Sequence, residues 1–139
     1  MFENPVKSEI DAFLRRIRTI AILGLSETAG RPSHTVAKAL QRFGYRIIPV
    51  NPAATEVLGE RAWPDLESAI KGAGPLDVVD VFRRPEHVAG IVADAIRLGV
   101  PALWFQEGVI DEAAAQKARD AGIFTVMNRC MFRDRSTLG

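Results

Sequence analysis

The chain has 139 residues, 47% of them hydrophobic, 25% charged and 7% aromatic, the proportions of an ordinary globular protein with room for one domain spanning 1–139. Eighteen Lys and Arg against 17 Asp and Glu leave a formal charge of +1, so no overall excess draws the molecule onto nucleic acid or an anionic membrane, and any anion site must be local. A single cysteine, Cys130, excludes an intramolecular disulfide and a Cys-rich zinc site, and His34 and His87 match no metal-ligand spacing. The opening MFENPVKSEI lacks the basic start and apolar stretch of a secretory signal, and no apolar run approaches the roughly 18 residues that span a bilayer. A reducing, cytoplasmic location is expected.

Residues 8–17 place Ile10, Phe13, Leu14 and Ile17 on one helical face, with Ser8 and Asp11 in a capping-box relation. Thr19 to Leu23 follows as a nearly all-apolar strand, the pattern of a parallel strand covered on both faces. After Gly24 and the loop Leu25 to Arg31, a helix carries Val36, Ala37, Leu40 and Phe43 on one stripe, with Ser33 expected as its N-cap and Gly44 at its end. The second strand, Tyr45 to Val50, halts at Asn51-Pro52. Residues 53–76 read as an irregular excursion and a short helix from about Asp65. Asp77 to Phe82 is the third strand. A helix opening at Pro85 then buries Val88, Ile91, Val92, Ala95 and Leu98 and ends at Gly99. Ala102 to Phe105 is the fourth strand, Asp111 caps an alanine-rich helix ending at Gly122, and Phe124 to Met127 is the fifth strand.

Alternating strands and helices predict an α/β, Rossmann-like, doubly wound parallel sheet of five strands, order 3-2-1-4-5, with an N-terminal helix. In such sheets ligands bind outside the carboxyl ends of the strands, which makes the strand tips the candidate site. The first tip, Gly24 with Ser26, Glu27 and Thr28, leads through Arg31 to the helix start at Ser33; hydroxyls, backbone amides and a helix dipole there suit a phosphate. The third contributes Phe82 and the guanidinium pair Arg83 and Arg84, Arg83 the better placed and Arg84 equally readable as solvated surface. Asp80 interrupts an apolar strand and is expected to find hydrogen-bonding partners, in a structural role. Trp104, within a strand, is expected to be buried, His87 exposed, and Cys130 to behave as a small hydrophobe.

Neighbouring classes fit less well. The nicotinamide fingerprint G-x-G-x-x-G fails at its second glycine, and the acidic residue at the end of the second strand is replaced by Val50-Asn51-Pro52. The span from Gly24 to Gly30 is one residue too long for a P-loop and continues with Arg31 in place of lysine. A phospho-receiver domain would carry an acidic cluster where Gly24-Leu25-Ser26 stands and a lysine near Asn128-Arg129-Cys130.

The segments IAILGLSETAGRPSHTVAKAL, GYRIIPVNP, LDVVDVFRRP, ALWFQEGV and NRCMF, in this order over roughly residues 15–135, resemble the CoA-binding domain family, as found at the N-terminus of the succinyl-CoA synthetase α subunit and of ADP-forming acyl-CoA synthetases. The resemblance implies coenzyme A as ligand. It places Ser26, Glu27, Thr28 and Arg31 along the CoA phosphate loop, Asn51 and Pro52 near the nucleotide end, Phe82 and Arg83 at the third tip, and Gln106-Glu107-Gly108 where those synthetases have a Thr-Glu-Gly turn. It also implies that complete synthetase chemistry is missing, because neither His34 nor His87 matches the phosphorylated histidine of their second domain.

No nucleophile, base and orienter assemble from the sequence, so the expected function is binding of coenzyme A or an acyl-CoA without catalysis, a small-molecule partner with neither nucleic acid nor membrane. Two alternatives stay open: an enzyme or redox module acting on a CoA thioester or CoA disulfide through Cys130, and a regulatory module whose CoA occupancy is read by a protein partner. Acyl preference and oligomeric state are not fixed by the sequence.

Overall fold

The computed structural model describes residues 1–138. In chain order its elements are α1 (Lys7–Arg16), β1 (Thr19–Leu23), α2 (Pro32–Arg42), β2 (Arg46–Val50), β3 (Glu56–Val57), β4 (Glu60–Arg61), α3 (Leu66–Ala73), β5 (Val78–Val81), a 3-10 turn (Pro85–His87) running into α4 (Val88–Leu98), β6 (Ala102–Phe105), α5 (Glu112–Asp120), β7 (Phe124–Met127) and α6 (Met131–Ser136). Five strands form one parallel sheet, and alternate side chains feed two cores. Ile20, Ile22, Val78, Trp104 and Val126 meet α1, α2 and α6, while Ala21, Val79, Val81, Leu103 and Phe105 meet α3, α4 and α5.

The doubly wound parallel class stands, with a different strand order. The sheet runs β2-β1-β5-β6-β7. Numbered along the chain, the order is 2-1-3-4-5: the third sheet strand lies against β1, not outside β2 as in the expected 3-2-1-4-5 order. Two features of the chain explain this. Val78–Val81 is buried on both faces, which suits an interior strand. Pro49 lacks an N–H, and its carbonyl points outward to accept the Trp63 amide at 2.9 Å, so the missing donor falls on the side away from β1 and no ladder bond is lost at an edge.

The segment expected to be irregular forms the β3–β4 hairpin and then α3, capped by Asp65, whose carboxylate accepts the Ser68 amide at 2.8 Å. Trp63 lies along the outer side of β2 and against α3, where a Cβ on Gly72 would come within 2.0 Å of its ring. Asp111 caps α5 as expected, accepting the Ala114 amide at 3.0 Å.

Three local expectations are corrected. Val6, in extended conformation, is the N-cap of α1, so Ser8 lies inside the helix and forms no capping box. Arg31 is the N-cap of α2, because Pro32 takes the first helical position, and Ser33 is buried one residue further in. α6 was not anticipated: its six residues present only Met131 to the core, too few for a periodic signal. At the other end of the chain, the Asn4 side-chain amide both donates to the Met127 carbonyl (2.9 Å) and accepts from the Met127 amide (2.7 Å), docking the N-terminal segment alongside β7.

Candidate functional site

A cleft of about 940 Å³ opens over the carboxyl ends of the strands. It is centred on the gap between β1 and β5, where the chain leaves β1 into α2 on one face and leaves β5 into α4 on the other. That divergence keeps the helix ends apart and leaves room for a ligand.

At the floor, Gly24 turns β1 out of the sheet with φ +86°, and a Cβ there would stand 2.3 Å from the Phe82 carbonyl oxygen and 3.0 Å from Arg83 Cδ. The Gly24 amide donates to Val50 O and the Phe82 amide to Leu23 O, each at 2.9 Å, so three strand tips are tied together at this point. Asn51 extends the tie: its Nδ2 donates to Leu25 O and its Oδ1 accepts the Ala53 amide, both at 2.8 Å.

The β1 loop is wound on itself. The buried Ser33 hydroxyl accepts the Ser26 amide at 2.9 Å, and the Ser26 hydroxyl accepts the Thr28 amide at 3.0 Å. Those two amides are therefore engaged within the loop, and Glu27 and Thr28 lie outside the cleft wall. The helix start remains available: Thr35 donates to Arg31 O as the first turn closes, so the amides of Ser33 and His34 precede the first intrahelical bond.

Of the residues expected to bind, Gly24, Ser26, Arg31, Ser33, Asn51, Pro52, Phe82, Arg83, Gln106 and Glu107 come together in this one cleft. Gly108 does not; its amide donates to Asn128 Oδ1 at 2.9 Å and knits the β6 and β7 tips. Beyond these, the wall holds Cys130, the residue of the redox alternative, and side chains that the sequence did not single out as ligands. Thr35 and Val36 are on the first turn of α2, His87 ends the 3-10 turn after Arg84, and Cys130 and Arg133 come with α6. The first three could have been found by counting one helical turn beyond each tip, whereas Arg133 depended on a helix without a sequence signal. Cys130 is half-buried on the wall rather than sunk in the core.

Charge is distributed unevenly. Arg31 and Arg83 form no ion pair among the described residues, and Arg84 has only Glu86 at 4.0 Å. Arg133 is paired with Glu107 at 2.8 Å, and that carboxylate holds the guanidinium more firmly in its charged form. The nearly neutral chain thus concentrates unpaired positive charge near the α2 start and the β5 tip.

Beneath the floor lies Asp80, beside Ile22 and Trp104 in the ladder. It is fully buried and neither carboxyl oxygen has a hydrogen-bond partner, contrary to the expected bonded role. Desolvation pushes its carboxyl well above the usual carboxylate range and so favours its neutral form. Trp104 is buried as expected, and its Nε1 donates to Arg129 O at 2.8 Å.

Residues 18–135 match the family model described as a CoA binding domain. The chain belongs to the CoA-binding domain family. The match runs from just before β1 into α6, so every tip around the cleft of this CoA-binding domain falls within it. The domain is similar to the uncharacterized protein YneT of Bacillus subtilis (strain 168), 40% identical over 129 residues and 93% of each chain. Among solved structures, a hypothetical protein from Pyrococcus horikoshii OT3 is 34% identical over 99% of both chains with a TM-score of 0.87. A Thermus thermophilus protein is 31% identical, covering 95% of this chain and 98% of that one, also with a TM-score of 0.87. No helix of the CoA-binding domain is long and apolar enough to cross a membrane among the described residues.

Proposed function

We propose that the protein binds coenzyme A or an acyl-CoA in the strand-tip cleft, as a single unit of residues 1–139 and without catalysis of its own. The observation that carries this reading is the gathering of Arg31, Arg83, Arg84 and the open α2 start around one cleft in a chain of this family. A ligand with a diphosphate and a separate phosphate meets there the donors it needs: guanidinium groups for charge-assisted bonds, and helix amides with their dipole. The volume, near the top of the roughly 300–1,000 Å³ usual for ligand sites, accommodates a large, extended molecule. The likeness to the N-terminal domain of the succinyl-CoA synthetase α subunit belongs to the same reading, as does a cytoplasmic setting for a chain with one unpaired cysteine.

The deciding experiment is thermal unfolding of ligand-free protein with CoA, acetyl-CoA, NAD and ATP at matched concentrations. A ligand at about 100 times its dissociation constant adds about 2.7 kcal/mol and several degrees to Tm. A rise with CoA or acetyl-CoA alone is expected; a rise with NAD or ATP alone assigns the cleft to another nucleotide.

Arg83→Ala is expected to weaken CoA binding about tenfold, the scale of one partly exposed charge-assisted hydrogen bond, and to flatten the salt dependence of Kd. Titration calorimetry at two ionic strengths checks both, and unchanged affinity removes Arg83 from the site.

One observation favours the redox alternative, the presence of Cys130 on the same wall. A Cys130→Ser variant that keeps every CoA-dependent activity and modification of the parent ends that alternative.

A further inference from the structure

The two ends of the cleft differ in charge and in what lies beneath them. Sheet order puts Asn51 and Pro52, at the tip of β2, on one side of the β1–β5 gap, and Gln106, Glu107, Cys130 and Arg133, from the β6 and β7 tips, on the other. Unpaired positive charge sits at the α2 start and the β5 tip. The β6–β7 end carries a guanidinium already matched by a carboxylate at 2.8 Å, a buried amide and a thiol. A CoA molecule places its phosphates at its nucleotide end and an uncharged pantetheine arm at the other; with the phosphates on the α2 start and the β5 tip, an arm laid along the cleft away from β2 carries any acyl group on its sulfur to β6 and β7. This step rests on the CoA reading above.

An acyl chain arriving there finds little apolar surface. Val109 is the one aliphatic wall residue at that end, and it is itself buried. The core below is laced shut. Gln106 Oε1 accepts the Met131 amide at 3.1 Å, Asn128 Oδ1 accepts the Gly108 amide, and Arg129 makes two 2.7 Å bonds to Asp134 across the base of α6. These bonds close the way between the β6 turn and α6 to the apolar layer of Trp104 and Met131. The exposed Ile110 and Phe132 are not on the cleft wall, so within the cleft the chain lies against the exposed Glu107–Arg133 pair or points into water, and neither gains from added methylenes.

We infer that the protein recognises the CoA moiety itself and is indifferent to the acyl group it carries. Its ligand class is CoA together with its straight-chain thioesters as one pool, not one acyl-CoA among them.

Titration calorimetry on the full chain with CoA, acetyl-CoA, butyryl-CoA and octanoyl-CoA tests this. The expected result is a Kd constant within fivefold across the series. A site that buries the chain tightens about fourfold for each methylene, so octanoyl-CoA would exceed acetyl-CoA by several orders of magnitude. Any difference beyond fivefold between CoA and octanoyl-CoA, in either direction, overturns the inference while leaving CoA binding intact. Absence of heat with CoA itself instead overturns the reading of the cleft as a CoA site.

A second measurement locates the acyl end. The double variant Glu107→Leu, Arg133→Leu makes that wall apolar and is expected to bind octanoyl-CoA at least tenfold tighter than CoA; a ratio that stays near one puts the acyl group elsewhere and overturns the placement.

Discussion

Gly24→Ala is expected to lower the unfolding free energy by about 2–4 kcal/mol and to abolish tight CoA binding in whatever fraction still folds. Two costs combine. An alanine must adopt the left-handed conformation that Gly24 holds at φ +86°, and its methyl must displace the Phe82 carbonyl, which lies 2.3 Å from the Cβ position. That carbonyl belongs to backbone at the tip of β5, so relief requires the β1–β5 junction to part, the junction on which the cleft is centred. Gly30→Ala isolates the first cost, because Gly30 has a similar φ of +93° with nothing within 4 Å of its Cβ. It should cost about 1–2 kcal/mol and leave the junction unchanged. Urea unfolding of the two variants checks the difference; equal losses would show that backbone conformation, not close approach, requires the glycine at position 24.

The second large effect concerns Asp80. An unpartnered carboxyl buried in the sheet stays protonated in the folded protein, whereas the unfolded chain releases that proton above the ordinary carboxyl value near 3.9. From that value up to the raised folded one, the native state holds more protons than the unfolded state, so this residue makes stability fall as pH rises. Asp80→Asn keeps the shape and removes the titration. The gap in unfolding free energy between variant and parent should therefore be small near pH 4 and open with pH by up to about 1.4 kcal/mol per unit. Asp80→Val, continuing the run of Val78, Val79 and Val81, also removes the unmet polarity and should gain about 1–3 kcal/mol at neutral pH. Urea titrations between pH 4 and 8 read both, and parallel pH profiles for parent and Asn variant would contradict a neutral, buried carboxyl.

Much of the architecture was legible because each parallel strand is a short apolar run closed by a turn residue. Gly24, Asn51-Pro52 and Gln106 mark three of the tips that the fold brings together. The strand order was less accessible: it turns on Pro49, whose meaning depends on which side of β2 its missing donor faces, a question about pairing that the local pattern does not pose. Asp80 was noticed for breaking an apolar run, and burial without partners followed from what the neighbouring strands fail to offer. For the phosphate loop the sequence points to backbone amides, the hydroxyls of Ser26 and Thr28 and the helix start together; the Ser33 and Ser26 hydroxyls take the Ser26 and Thr28 amides, which leaves the start of α2 as the open set of backbone donors. α6 escaped notice because one inward methionine has no period, and Arg133 escaped with it.

The Asn4 clasp on β7 and the Trp63 segment along β2 bear on how copies of this chain can meet. A parallel sheet ends in two rows of unpaired backbone groups that invite a strand from another molecule. Here the outward groups of Met127 are taken by a side-chain amide that mimics one residue of a further strand, and the outer groups of Pro49 and Asn51 by the backbone of Trp63. Each flank of the sheet is occupied at its carboxyl end from within the same chain. Growth by strand addition, whether into an orderly dimer or an amyloid-like stack, is thereby blocked at these positions.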